Sequence, residues 1–520
     1  TTAHLPMDME QQWSSLCLVA VCTLLALWFL KLFSGKGKPK KKQVLPPGPW
    51  RLPIIGSLHH VVSVLPHRRM MDLSRQHGPL MHLQLGEIPA VVVSSAEAAS
   101  LVMKTHDLAC ANRPCGPTQD IVGCGGRGII FGPYGDRWRQ MRKICIVELL
   151  SSKQVRRMEG IKAKEVGNLL RSITGDAVPS GAAVNLSAKL AAFSSDIVTR
   201  AVFGGKFTQK EEFLRELDTV NELVGGFCLV DLFPSSRLVR WLSNAERHMK
   251  RSYGNIQRII ADIVEGRKAA RAAGDRACGT DDEDLLDVLL RLQEEDSLAF
   301  PLTAEIIGVV IFDIFGAATE TTTTTLEWVM FELLRNPKVL AKAQSDVRTV
   351  LGCDRAVITR DGLSKLSYMR MVIKEVFRLH PPAPLLVPRE TREDCEIMGY
   401  DLPKGTNIFV NVFAISRDSK YWDNPENFKP ERFENKNIEY YGTNFEFTPF
   451  GAGRRQCLGM LFGTSTVEIA LANLLYHFDW VLPDGSSAES MDTSEKFGVT
   501  VSKKYDLELI AIPNPCSKVF

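Results

Sequence analysis

The sequence predicts a mainly α-helical protein with small β-sheets, one long helix through its core and an N-terminal helix that crosses a membrane. Three stretches carry that prediction. Residues 303–335 read as one continuous helix, and residues 13–30 are apolar and uncharged. A loop rich in glycine and arginine, Phe450-Gly451-Ala452-Gly453-Arg454-Arg455-Gln456-Cys457-Leu458-Gly459, presents one cysteine ahead of a further apolar helical run.

The long helix would extend about 50 Å at 1.5 Å per residue. Residues 306–315 are apolar nearly all round, so it belongs in the core. Asn336-Pro337 ends it, because proline cannot continue the backbone ladder. In its middle stand Ala317, Ala318, Thr319, Glu320, Thr321 and Thr322, followed by Thr323, Thr324 and Thr325. Threonines are poor helix formers whose hydroxyls bond back to the preceding turn. The bland reading is packing. The sharper one is a locally weakened ladder beside an acid, with room for a small ligand or water.

In the cysteine loop, glycines let the backbone turn tightly and approach a flat ligand. Arg455 can fork onto an anionic group. Arg454 and Arg455 are expected to favour Cys457 as thiolate, the form that binds metal. The positive end of a helix starting near Met460 would add to this.

At the N-terminus, Met7 and Met9 are the first methionines, and 1–12 reads as leader. The uncharged run is close to the ~20 residues that span a bilayer. Lys31, Lys36, Lys38, Lys40, Lys41 and Lys42 follow it. No cleavage site of the signal-peptide kind follows, so 13–33 reads as a retained anchor. Positive flanks stay cytosolic, which places the rest of the chain there. Residues 34–50 read as a basic, proline-rich hinge ending in Leu45-Pro46-Pro47-Gly48-Pro49-Trp50, and 51–520 as one large folded domain. On this topology the sequon at Asn185-Leu186-Ser187 would go unglycosylated.

Composition excludes other classes. The 520 residues are 45% hydrophobic with a net charge of +3, which gives no footprint for nucleic acid. The 12 cysteines are scattered singly, without a Cys-x-x-Cys pair. That argues against zinc and for reduced thiols. Residues 81–85 and 90–94, around a turn at 86–89, read as a hairpin. Gly123-Cys124-Gly125-Gly126-Arg127-Gly128 formally matches a dinucleotide fingerprint, but no strand precedes it. A mobile loop over a pocket is the better reading. Trp138 and Arg142 share a helix face, as do Glu375 and Arg378, the latter pair among apolar neighbours. Residues 155–267 read as mostly helical, and 269–283 as a flexible connection.

Taken together, these motifs resemble those of the cytochrome P-450 family, most closely the plant A-type microsomal members. The resemblance covers the chain after the anchor. It rests on Trp-x-x-x-Arg, Ala-Ala-x-Glu-Thr-Thr, Glu-x-x-Arg, Pro-Glu-Arg-Phe and Phe-x-x-Gly-x-Arg-x-Cys-x-Gly, in family order. It implies that 51–520 is a haem-thiolate catalytic domain, with haem b held by Cys457. Phe450 and Gly451 would lie against the haem, and Trp138, Arg142, Arg389 and Arg455 at its propionates. Thr321 would hold dioxygen by a hydrogen bond and Glu320 relay protons, while Glu375, Arg378 and Arg432 would lock the cysteine loop. Two departures stand out: Ala318 where Gly is usual, and Leu458 where Pro is common.

The function so implied is a monooxygenase of the endoplasmic reticulum membrane, single-pass and facing the cytosol. Electrons would come from NADPH through a separate cytochrome P-450 reductase, docking near Arg137, Arg139, Lys143 and Arg454. The substrate would be a small lipophilic metabolite, a terpenoid before a phenolic or flavonoid. Apolar candidates for its pocket are Ile121, Ile311, Phe312, Ala317, Leu385, Leu386 and Val499, the last in a terminal hairpin tip, 497–501. The rivals are a haem-thiolate isomerase or dehydratase, and a non-catalytic haem sensor. Glu320-Thr321 argues against the isomerase.

Overall fold

The computed structural model describes residues 43–518 except 63–64, 178–181, 226, 275–282, 296–297, 299, 361 and 484–486. The leader, the anchor at 13–33 and most of the hinge lie outside these. Pro46–Phe520 forms a compact unit. At its start the Pro47 carbonyl accepts the His82 N–H at 2.8 Å, so the end of the proline stretch packs on the folded body.

The elements used below are, in chain order, α1 (Pro66–His77), β1 (Leu80–Leu85), β2 (Ile88–Val93), α2 (Asp136–Ile144), α3 (Glu159–Ala177), β3 (Val184–Asn185), α4 (Leu186–Phe203), α5 (Lys210–Val224), α6 (Ala245–Ala272), α7 (Ala304–Arg335), α8 (Ser367–Leu379), β4 (Arg389–Glu390), β5 (Cys395–Ile397), β6 (Tyr400–Leu402), β7 (Asn407–Val410), α9 (Met460–His477), β8 (Phe478–Val481), β9 (Glu495–Lys496), β10 (Ser502–Lys503) and β11 (Glu508–Pro513).

α7 is the axis. Thr303 caps it, its hydroxyl accepting the Ile306 N–H at 3.4 Å, and Asn336 ends it before Pro337. It is long and apolar enough to cross a bilayer, yet Ile306, Val310, Ile311 and Phe315 are buried in the protein core. α4 and α6 pack along it, and α9 crosses it. Full burial of each such side chain contributes about 2 kcal/mol. α7 stays helical throughout, so the ladder is not broken at the threonines. Thr319, Thr321, Thr322, Thr323 and Thr325 hydrogen-bond to the carbonyls four residues earlier, at 2.7–3.0 Å, within an intact helix.

The strands form small sheets. One has the order β1-β2-β7-β4, with β2 and β7 parallel. The expected hairpin is there, but its turn is tighter. Leu85 pairs with Ile88 and Pro89 lies within β2. Proline fits because the parallel ladder with β7 begins only at Ala90. β3, β11 and β8 make a second sheet, and β9 and β10 a terminal hairpin.

One further sequence reading needs correction here. The supposed connection at 269–283 begins late, because α6 continues to Ala272. Alanine is the strongest helix former, so the small residues there propagate the helix. Among the described residues the cysteines are free thiols, and Cys353 and Cys516, far apart in the chain, bring their Sγ atoms to 2.7 Å.

Candidate active site

A cavity of about 330 Å³ lies between α7 and the cysteine loop. The loop is held rigidly. The Cys457 N–H donates to the Phe450 carbonyl at 3.0 Å, and Phe450 packs edge-on against Phe377 of α8. Gly453 has φ +68°, and a Cβ there would sit 2.2 Å from the Met103 carbonyl oxygen, so only glycine fits. Burial pushes the Cys457 thiol up; the N–H groups of Gly459 and Met460, with Arg142, work the other way. The helix-start contribution is thus as expected, but the arginine expectation needs correcting. Arg454 turns away to Asp107 and Tyr134, and Arg455 is taken up by carbonyls, which leaves Arg142 as the cation acting on the sulfur.

Four guanidinium groups line the same end of the cavity: Arg113, Arg142, Arg389 and Arg455. Arg142 donates to the Gln456 carbonyl at 2.7 Å, and Arg389 to Asp107 and the Ala452 carbonyl, both at 2.7 Å. Arg455 donates to the carbonyls of Ala111 and Gly132 and lies 4.1 Å over the Trp138 ring. Trp138 Nε1 donates to the Ile129 carbonyl at 2.9 Å. Burial, then the neighbouring arginines, hold Arg455 down at about 9 and push Arg113 well below its usual value. Among the described residues Asp107 pairs with this cluster, so positive charge is in excess. That excess, over an apolar cavity with a cysteine sulfur in its wall, fits a flat iron-bearing group with anionic substituents.

On the opposite wall Thr321 and Glu320 both reach the cavity, whereas Thr319 is turned into the core, towards the Phe315 carbonyl. The Asn221 amide of α5 donates to Glu320 at 2.9 Å. Burial and then Asp218 raise the Glu320 carboxyl to about 7.

The predicted pocket residues divide. Phe312, Ala317, Leu386 and Val499 line the cavity. Ile121, Ile311 and Leu385 do not. Ile311 is buried in the core, and Val122 lines the cavity in place of Ile121. Neighbouring helix positions point about 100° apart, so a one-residue phase error suffices for either. Leu385 packs near Phe409 and lines a smaller adjoining cavity of about 50 Å³.

Sequence reasoning missed Arg113, Asp313 and Asn221. Arg113 reaches the Ile130, Val387 and Pro388 carbonyls. Asp313 accepts the Ile129 N–H at 2.6 Å and the Ile130 N–H at 3.3 Å. A Cβ on Gly128 would stand 2.9 Å from its carboxylate, so this glycine of the 123–128 run allows the loop to close on α7. A lone acid inside the apolar run 306–315 was the available signal for Asp313.

Behind the cysteine loop, Arg378 forks onto Glu375 at 2.8 and 2.9 Å, and Arg432 Nε joins at 2.9 Å. Glu375 and Arg378 are fully buried.

The family profile of the cytochrome P450 proteins matches residues 46–509. The chain belongs to the cytochrome P450 family. This P450 is 47% identical over 488 residues to desmethyl-deoxy-podophyllotoxin synthase of Sinopodophyllum hexandrum, covering 93% of this chain and 95% of that one. It is 46% identical to ent-isokaurene C2/C3-hydroxylase of Oryza sativa subsp. japonica (96% and 97% covered). It is 45% identical to premnaspirodiene oxygenase of Hyoscyamus muticus (95% and 98%). Among solved structures, a zebra fish cytochrome P450 with progesterone superposes with a TM-score of 0.74 at 25% identity, covering 86% of this chain and 100% of that one. The protein is therefore an oxygen-incorporating oxidoreductase of plant type that uses haem b. It takes dioxygen, a lipophilic substrate and electrons from a redox partner.

Proposed function

We propose that this P450 is a membrane-anchored monooxygenase of the endoplasmic reticulum that oxidises a small terpenoid, with electrons from NADPH–cytochrome P450 reductase. The observation that carries this is the cavity itself. Thr321 and Glu320 face Cys457 across a space walled by Val122, Phe312, Ala317, Leu386 and Val499. Haem bound at Cys457 supplies the activation of dioxygen, one atom entering the substrate and the other leaving as water. The chain's residues do the rest. Cys457 would hold the haem iron through its sulfur, and Trp138, Arg113, Arg142, Arg389 and Arg455 would hold the propionates. Glu375, Arg378 and Arg432 fix the loop from behind. The Thr321 hydroxyl orients dioxygen, and Glu320, held by Asn221, passes protons inward. The apolar wall excludes water and grips a hydrocarbon skeleton.

Relatives named for isokaurene, premnaspirodiene and dolabradiene support a terpenoid. The uncharged run at 13–30 with its lysine flank supports the anchor and its orientation. The test is turnover in reductase-containing microsomes under isotopically heavy dioxygen, with terpene hydrocarbon and phenolic panels. One heavy oxygen atom should appear in a terpene product. Label confined to phenolic products would overturn the substrate class.

A further inference from the structure

The terminal hairpin offers the cavity Val499 and Thr500 at its tip, and its neighbours Phe497 and Gly498 line the adjoining space. Two-stranded hairpins are marginal alone, so something outside must hold this one. β9 and β10 pair at only two positions, Lys496 with Ser502 and Glu495 with Lys503. The hold comes from α1. Arg68 forks onto Glu495, with Nε and Nη2 each at 2.8 Å, and His67 Nε2 lies 3.1 Å from the same carboxylate. The Glu495 side chain is 4% exposed, against 40% for Arg68. Burial opposes its charge, but Arg68 and His67 hold the carboxyl at about 2, so the latch stays ionised at any working pH.

His67 itself cannot drift. Its carbonyl accepts the buried Asn411 amide at 2.8 Å, and its ring stacks on Phe497 and meets Phe413 edge-on. A second tether is weaker: Lys496 pairs with Glu222 of α5 at 2.7 Å, with both side chains more than half exposed. The tip also comes beside the acid of α7: Thr500 and Glu320 both line the cavity, and Thr500 offsets part of the burial that raises the Glu320 carboxyl. The latch stands at the root of a hairpin whose tip carries two cavity residues, Val499 in the apolar wall and Thr500 near Glu320.

We infer that Glu495, held by Arg68 and His67, is a positioning residue that fixes the hairpin tip in the cavity, and so sets which part of the substrate is presented. The inference rests on this cavity being the substrate site. Its test does not depend on turnover. In the haem-loaded protein, amide hydrogen exchange of 497–501 is measured for Glu495→Gln, Arg68→Gln, Arg68→Lys and Lys496→Gln. Binding of clotrimazole, a bulky azole, is followed by its shift of the haem absorption band.

Glu495→Gln and Arg68→Gln should raise tip exchange several-fold and shift azole affinity, while the thiolate-type carbon monoxide spectrum is kept. Arg68→Lys, which restores the charge without the fork, should recover part of both. Lys496→Gln should change them far less. With premnaspirodiene as test substrate, the two Gln variants should also alter product ratio more than total rate. If Glu495→Gln does not take up haem, Arg68→Gln decides alone, since its side chain is the more exposed. Unchanged tip exchange in Arg68→Gln, or an equal rise in Lys496→Gln, overturns the inference. Absent turnover in the wild type would speak against the proposed substrate and leave the exchange and azole readings intact.

Discussion

The two walls of the cavity are built on opposite plans. The wall of the cysteine loop is saturated with charge and hydrogen bonds. Arg378 alone reaches Glu375 and the carbonyls of Ser416, Pro425 and Asn427. The α7 wall is apolar, and its two acids, Asp313 and Glu320, have no cationic hydrogen-bond partner among the described residues and are raised to about 7. The difference teaches where rigidity and where proton traffic belong. A buried ion network with every partner in place has one geometry. A carboxyl that titrates near neutrality can take up and release protons.

That contrast predicts unequal damage. Cys457→Ser should be the most severe change, abolishing the thiolate-type carbon monoxide spectrum. A variant that kept it would make another cysteine the ligand. Next comes the network behind the loop. Glu375→Gln leaves two buried guanidinium groups uncompensated, a loss of about 3–5 kcal/mol. Expression should yield little haem-loaded protein, measured as haem per chain. Substitutions on the α7 wall should leave that ratio near wild type.

On the α7 wall the effect should fall on chemistry. Thr321→Ala should consume NADPH with less product and more hydrogen peroxide, whereas Thr319→Ala should barely change coupling, because its hydroxyl is turned into the core. Peroxide-driven product formation should suffer less in Thr321→Ala, since it bypasses dioxygen activation. Normal coupling in Thr321→Ala would remove its assigned role.

These walls were not equally legible in the sequence. Glu375 and Arg378 were readable because both lie on one helix, where spacing fixes direction. The Cys457 loop was readable because its glycines and arginines are contiguous. Arg113 was not, since it enters the site from an irregular loop whose path depends on the Val387 and Pro388 carbonyls, far along the chain. Asn221 was hidden for the same reason, being ordinary in its own helix until α5 crosses α7. The misplaced Ile121 and Ile311 show a different limit: apolar runs reveal that a helix is buried, but not its phase. The glycine run at 123–128 follows the short helix Pro117–Val122, not a strand. Its closure onto Asp313 needed the fold.

Asp313 allows a quieter test of the α7 wall. Burial raises its carboxyl from 3.8 to about 7, offset in part by the two N–H groups it accepts. The folded chain then binds this proton more tightly than the unfolded chain. The associated stability is present in full below 3.8 and is lost as pH rises through about 7. Thermal unfolding midpoints should therefore fall across that window, and Asp313→Asn should flatten the fall. Glu320, raised in the same direction, keeps part of the slope. An unchanged slope in Asp313→Asn would mean its carboxyl is already ionised in the fold.

The smallest effect belongs to the outer surface of the charged wall. Arg137, Arg139, Lys143 and Arg454 are exposed there, on α2 and on the cysteine loop. Arg139 is already paired with Asp136, and Arg454 with Asp107, so part of their charge is answered locally. Arg137 and Lys143 are thus the freer cations to test for docking of the proposed reductase. Exposed charges are screened over about 10 Å at 0.1 M salt. Charge reversal of Arg137 and Lys143 should weaken reductase-supported turnover several-fold at low salt and less as salt is raised. Turnover driven by an added peroxide should be unaffected, because no partner has to dock. Equal losses in both assays would show that the substitutions damage α2, and with it Trp138 and Arg142, and not the docking surface.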